Sequence, residues 1–231
     1  MEQIYNSQNE IQSVLSQKLQ ENIAVIEALF QNCDDIVKKQ FVLQRAEGTT
    51  SVYMVYVDGL TDSDMVQEYV IRPLLWRESD ASKDIFQEFF QSKIDMADIA
   101  EETSFDKAVN RIMMGDTVLF IDGYARVITI SSKKLPVRSI QESETEAVMR
   151  GPRDSFNESL RTGTALIRRR IKDPKCKIEQ NKLGQRSRTD YALVYMEDLV
   201  EQNVLDEVRN QLETYETDAI YDSGMLEHFM N

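Results

Sequence analysis

Val52-Tyr53-Met54-Val55-Tyr56-Val57-Asp58-Gly59-Leu60 is the stretch that decides the fold. Its run of β-branched, aromatic and other apolar residues, closed by Asp-Gly, reads as a strand buried on both faces that ends in a turn. Downstream, Thr61 or Asp62 is placed to cap a helix with Met65, Val66, Tyr69 and Val70 turned inward and Pro73 in its last turn. Strand, turn and helix in that order indicate an α/β unit. Upstream, Ser7 with Glu10 makes a capping box. Ile11, Leu15, Leu19, Ile23, Ile26 and Phe30 recur at three- and four-residue steps, predicting one long amphipathic helix that ends near Asn32.

Residues 84–102 carry a helical rhythm with weak boundaries, and 104–114 predict a clearer helix with Phe105, Ala108, Val109 and Ile112 on one side and Gly115 as its stop. A hairpin follows, 117–121 and 125–130 around Asp122-Gly123 as a two-residue turn. Beyond Pro136 the pattern returns. Ser155 with Glu158 is a second capping box, opening a helix through Leu160, Leu166, Ile167 and Ile171 that stops before Pro174. Residues 191–196 then read as a buried strand, followed by a helix with Val204, Leu205, Val208 and Leu212. A shift of 139 positions lays Val55-Tyr56 on Val194-Tyr195, Leu60 on Leu199 and Val66 on Leu205. The expected architecture is α/β and two-lobed, each lobe a small mixed β-sheet flanked by α-helices. A long N-terminal helix (1–34) precedes the subdomains at 35–138 and 139–231.

Composition removes many activities. The chain has 231 residues, 42% of them hydrophobic, and no apolar run near the roughly 20 residues that span a bilayer. Met1-Glu2-Gln3-Ile4 lacks the basic start of a signal peptide, so the chain reads as intracellular. Cys33 and Cys176 form no CxxC, which fits a reducing compartment without a disulfide framework. One histidine, His228, leaves no material for Ser/His/Asp or Cys/His triads or multi-histidine metal sites. The eight glycines all stand alone, giving no Gly-rich phosphate loop. No catalytic, cofactor-binding or metal set emerges.

Lys+Arg number 27 against 40 Asp+Glu, a net charge of −13 that argues against nucleic acid as a partner. That average hides a split. Residues 126–188 hold 16 bases and 7 acids, a net of +9, so the rest of the chain carries −22. The basic segment either folds against acidic neighbours within the chain or offers a patch to an anionic surface such as lipid head groups.

Asp58 and Asp122, each followed by glycine, stand at strand ends, where α/β folds hold ligands or Mg²⁺. Asp-Gly also makes tight turns, and that simpler role is the favoured one because no second acidic motif accompanies either. More distinctive is Glu146-Ala-Val-Met-Arg150-Gly151-Pro152-Arg153-Asp154-Ser155-Phe156-Asn157-Glu158, leading into Ile167-Arg168-Arg169-Arg170-Ile171. Gly151-Pro152 makes a stiff entry to a capped helix with Arg150 and Arg153 on either side, an anion receptor or a turn fastened on Glu146, Asp154 or Glu158. Arg168, Arg169 and Arg170 span nearly a full helical turn, so they cannot all face one partner.

The run Arg150-Gly-Pro-Arg-Asp-Ser-Phe-Asn-Glu-Ser-Leu-Arg-Thr162, then Ala165-Leu-Ile-Arg-Arg-Arg-Ile171, resembles the signature of spore germinant receptor A subunits, the GerA family. Val57-Asp58-Gly59-Leu60, Phe120-Ile121-Asp122-Gly123, Leu183-Gly184 and Asp222-Ser223-Gly224 are similar to the family as well. Departures stand at Ser143, Asp154-Ser155 and Gly163, where members usually carry Pro, Glu-Gly and Asn. The resemblance implies a soluble, non-enzymatic N-terminal region that precedes transmembrane helices on the cytoplasmic side of the spore inner membrane. It further implies B and C subunits as partners, association through A subunits, and nutrient-triggered ion release. Arg150, Gly151, Pro152, Arg153, Glu158, Arg168, Arg169 and Arg170 become interface or anion-contact candidates. The alternatives are a two-lobed module that binds a nutrient or small anion between its lobes, and, last, a Mg²⁺-dependent phosphate enzyme using Asp58 or Asp122.

Overall fold

The computed structural model describes residues 11, 14–45, 48–76, 84–91, 98–134, 158–220 and 223–230. Helix α1 (Leu19–Leu29) leads into strands β1 (Ile36–Arg45) and β2 (Gly48–Val57), helix α2 (Ser63–Val66), a π-helical turn (Gln67–Ile71) and helices α3 (Arg72–Trp76) and α4 (Ile85–Gln91). Strand β3 (Ile99–Glu102), helix α5 (Phe105–Met113) and strands β4 (Thr117–Ile121) and β5 (Val127–Ile130) follow. Helix α6 (Leu160–Arg170), strands β6 (Cys176–Leu183) and β7 (Thr189–Met196), and helices α7 (Gln202–Thr214) and α8 (Ser223–Met230) complete the order. The α/β class is as the sequence indicates. One sheet has five strands in the order β1-β2-β4-β5-β3 and the other is the hairpin β6-β7, with antiparallel pairing between all named strands.

Both faces of the large sheet are covered, which is why its central strands read as unbroken apolar runs. Tyr53, Val55, Val57, Val118 and Phe120 point to one face, where Ile26 and Leu29 of α1 and Phe105, Ala108 and Ile112 of α5 meet them. Val52, Met54, Leu119, Ile121, Ile128 and Ile130 point to the other, against Val66, Val70, Ile85 and Phe86. Period-2 alternation thus divides two cores rather than core and water. A smaller cluster, Leu183, Leu212 and Ile220, joins the hairpin to α7.

Several expectations change. The N-terminal helix is shorter: α1 starts at Leu19, and residues 14–16 are not helical. Ser16 and Asn22 exchange two hydrogen bonds of 2.9 and 2.8 Å that hold the chain outside the helix, while Ile11 and Leu15 still reach the core. Ser7 and Glu10 lie outside the described residues. Residues 84–102 split into α4 and edge strand β3. Pro73 sits beyond a π turn, where Arg72 N–H reaches Gln67 O; the wider turn accommodates a ring that would otherwise press on the Tyr69 carbonyl. That turn also shifts the helical phase and leaves Tyr69, expected inward, exposed. Asp122-Gly123 does form a β-turn closed by Tyr124 N–H on Ile121 O, but the strand pairing ends at Phe120 and Val127, so the loop is longer than two residues. Strand β7, expected to be buried, is only half-buried, because among the described residues it pairs with β6 alone. Val204 at the start of α7 is exposed too.

Gly59 and Gly123 have φ of +81° and +90°, and a Cβ at Gly59 would lie 2.9 Å from Ala165 Cβ and 3.1 Å from Arg161 O, whereas one at Gly123 meets nothing within 4 Å. Gly123→Ala should therefore cost about 1–2 kcal/mol for the left-handed backbone alone. Gly59→Ala should cost about 1–3 kcal/mol more by overpacking helix α6. Urea unfolding of the two variants reads the difference; equal losses would contradict the close approach of α6.

Candidate functional site

Helix α6 carries the arginine-rich half of the motif, and Ser159 starts it by accepting from Thr162 N–H at 3.3 Å. Arg150, Gly151, Pro152, Arg153 and the expected cap Ser155 lie outside the described residues. Glu158 is exposed just ahead of the cap.

Arg161, Ala165 and Arg168 follow i, i+4, i+7 spacing and so share one face of α6. That face meets the turn after β2 and the segment before β1. Arg161 Nη2 lies 2.5 Å from Asp58 Oδ1, and Ala165 joins the core of α1 and α5. Arg168 forks onto Asp35, Nε donating to Oδ2 at 2.6 Å and Nη2 to Oδ1 at 3.0 Å, while Nη1 donates to Asp173 O at 3.4 Å. The two charged side chains are 0% and 1% exposed. Burial by itself would lower the Arg168 pKa; the hydrogen bonds and charge of Asp35 outweigh it and hold the guanidinium above its ordinary value.

Around this pair the chain is cross-tied. Ile178 N–H donates to Asn32 O at 3.1 Å, Asp34 N–H to Ile178 O at 2.9 Å, and Gln180 N–H to Asp34 Oδ2 at 2.7 Å, so residues 32–34 run beside β6 through a parallel bridge at Cys33. Buried Lys177 donates to Leu29 O at 2.9 Å, satisfying the C-terminal end of α1, and lies 3.2 Å from Glu197. Cys33 Sγ is 3.8 Å from Cys176 O, and burial pushes both thiols up against the opposing pull of Arg168.

The structure separates the three arginines as helical spacing requires: Arg168 is buried within the chain and unavailable to an outside partner, while Arg169 and Arg170 are exposed. Asp58 and Asp122 act locally. Asp58 holds Arg161, and Asp122 Oδ1 accepts from Leu19 N–H at 3.0 Å, capping α1, whose own N-cap residue Lys18 supplies no side-chain bond. Among the described residues no group of three or more His, Cys, Asp or Glu side chains is arranged to hold a metal ion. His228 is exposed on α8. Asp35, Arg161 and Lys177 carry the junction without having been marked by the sequence. The spacing of Arg161, Ala165 and Arg168 was the available signal; Asp35, one acid beside another, offered none.

A sandwiched antiparallel sheet to which an arginine-rich helix and a second hairpin are tied defines an α/β domain with two antiparallel sheets. Among solved structures it is similar to the N-terminal domain of the A subunit of the Bacillus megaterium spore germinant receptor GerK3, with a TM-score of 0.70 and 24% identity over 93% of this chain and 76% of that one. The family model described as Bacillus/Clostridium GerA spore germination protein matches residues 24–231. The chain belongs to the GerA family of spore germination proteins. Relatives from Bacillus subtilis (strain 168) include the uncharacterized membrane protein YfkQ, 34% identical over 94% of this chain and 41% of its own length, and spore germination protein KA, 31% identical over 94% and 40%. The chain thus spans about two fifths of the length of the curated relatives it matches. Among the described residues no helix is long and apolar enough to cross a membrane.

Removing one partner of the buried pair should be costly. Arg168→Met is expected to lose about 3–5 kcal/mol in denaturant unfolding, and Asp35→Leu/Arg168→Met to recover most of it; a double variant as unstable as the single would contradict a simple ion pair. Cys33 and Cys176 should resist a thiol reagent at pH 8 until the chain is unfolded in denaturant, and rapid labelling of the native protein would contradict their burial.

Proposed function

We propose that this chain is the N-terminal domain of a germinant receptor A subunit and works, without catalysing a reaction, in receptor assembly and in coupling a nutrient signal to ion release and germination. In this reading it lies on the cytoplasmic side of the spore inner membrane, with B and C subunits as partners and A-subunit association in the whole protein. The two units, with their boundary near 138–139, act as the domain's working parts. One observation carries the reading: the motif helix α6 is fastened to the other unit by a fully buried fork, Asp35–Arg168, so a load on the motif is transmitted into the five-stranded sheet. Two measurements test it. In the whole receptor, Arg150→Ala/Arg153→Ala should leave receptor amounts near normal and slow the nutrient response; normal amounts with a normal response would contradict it. The natural coding sequence beyond Asn231 should encode apolar spans of about 20 residues, and a stop codon there would count against the reading.

A polar cavity of about 260 Å³ supports the second reading, a two-lobed ligand-binding module. It opens between residues 32–34 and the second unit, lined by Asp34, Glu179, Tyr191, Arg209 and Glu213. Arg209 and Tyr195 already occupy Glu179 and Gln180 N–H occupies one oxygen of Asp34, so Glu213 and the other Asp34 oxygen are left to meet a ligand. Amino acids, sugars or nucleotides that bind there should raise the melting temperature; no shift across such a panel retires this reading.

A further inference from the structure

The C-terminal end of α6 borders a separate cavity of about 210 Å³, floored by Leu60 and Met113. Four cationic side chains line it: Lys133 and Lys134, just after β5, and Arg169 and Lys172, at the end of α6. The backbone under the two lysines is fixed. Lys134 N–H donates to Leu60 O at 2.7 Å and Asp62 N–H to Ser132 O at 2.8 Å, while Thr61 Oγ1 and Ser132 Oγ both bond Gly115 O, at 2.9 and 3.4 Å. The nearby acids lie beside basic side chains, although buried Asp116 Oδ1 accepts no hydrogen bond among the described residues. Asp116 Oδ1 is 3.4 Å from Lys133 Nζ, its other oxygen 3.4 Å from Arg111, and Asp62 Oδ1 is 3.8 Å from Lys134 Nζ. Among the described residues Arg169 and Lys172 have no ion pair, so the cavity keeps a surplus of positive charge. Exposed Met114 also lines it, placing apolar surface beside those charges.

We infer that this cavity binds a phosphate group, borne by a small phosphate compound or by a phospholipid head group. Among the described residues Arg169 offers an unpaired guanidinium fork that suits phosphate oxygens and Lys172 a second unpaired charge, and Lys133 and Lys134 line the cavity with them. Exposed Met114 suits the carbon portion of an amphiphile next to its head group. The lipid source rests on the proposed membrane-side placement; the phosphate pocket itself does not.

The test uses the 231-residue chain and two probes. Titration with inorganic phosphate should shift the amide NMR signals of Leu60, Met114, Lys133 and Arg169, and Arg169→Glu/Lys172→Glu should abolish those shifts. Sedimentation with phosphatidylglycerol vesicles, against phosphatidylcholine vesicles, should show retention that the same variant weakens about tenfold or more. Lys182→Glu/Arg186→Glu, an equal charge change at exposed residues elsewhere, should weaken it far less. Phosphate shifts without vesicle retention assign a free phosphate compound, and both together assign a head group. Absence of both, or effects no larger at Arg169 and Lys172 than in the control variant, would overturn the inference. The proposed role in nutrient response is unaffected by that failure, since it is read separately in the whole receptor.

Discussion

A charged pair taken wholly out of water is the constraint on which the arrangement depends. Neither Asp35 nor Arg168 has solvent to fall back on, so each requires the other in a forked geometry, and that geometry fixes α6 at one place against the segment before β1. Once α6 is fixed, Gly59 must lack a side chain, Arg161 reaches Asp58, and Ala165 fits the core between α1 and α5. The small residue and the two arginines are consequences of one close approach.

The remaining ties extend it. Residues 32–34 leave α1 and run beside β6 before entering β1, so a single segment carries both Asp35 and the backbone link between the sheets. Lys177 closes the end of α1 from β6. The basic stretch of the sequence is therefore divided by the fold. Arg161, Arg168 and Lys177 are consumed by internal acids or carbonyls, while among the described residues Arg169 and Lys172 stay without an ion pair beside the cavity. The internal reading of the charge split holds for Arg161, Arg168 and Lys177; for Arg169 and Lys172 the patch reading is the one proposed.

Much of the five-stranded sheet and its flanking helices was legible. Central strands β2 and β4, the Ser104-capped helix α5 and the Asp62-capped helix α2 follow from apolar runs and caps that act locally. The failures share a cause, a distant partner overriding a local pattern. Leu19 begins α1 because Asp122, far along the chain, caps it, and the 3.6-residue rhythm of Ile11 and Leu15 cannot show that. The apolar rhythm of 84–102 does not reveal that 99–102 pair with β5 as an edge strand. At the candidate site, the motif named the helix but not its face. Helical geometry separates Arg168 from Arg169 and Arg170, yet only the fold supplies Asp35, which sits 133 positions earlier in the chain.

The central claim is that α6 and the five-stranded sheet form one cooperative piece held by Asp35 and Arg168. Native-state hydrogen exchange measures it most directly. The amides of Ala165 to Arg168 should open with a free energy close to that of Leu119 and Phe120 in β4. Opening of α6 at a much lower free energy, while β4 stays protected, would show that the helix detaches on its own and would contradict the account.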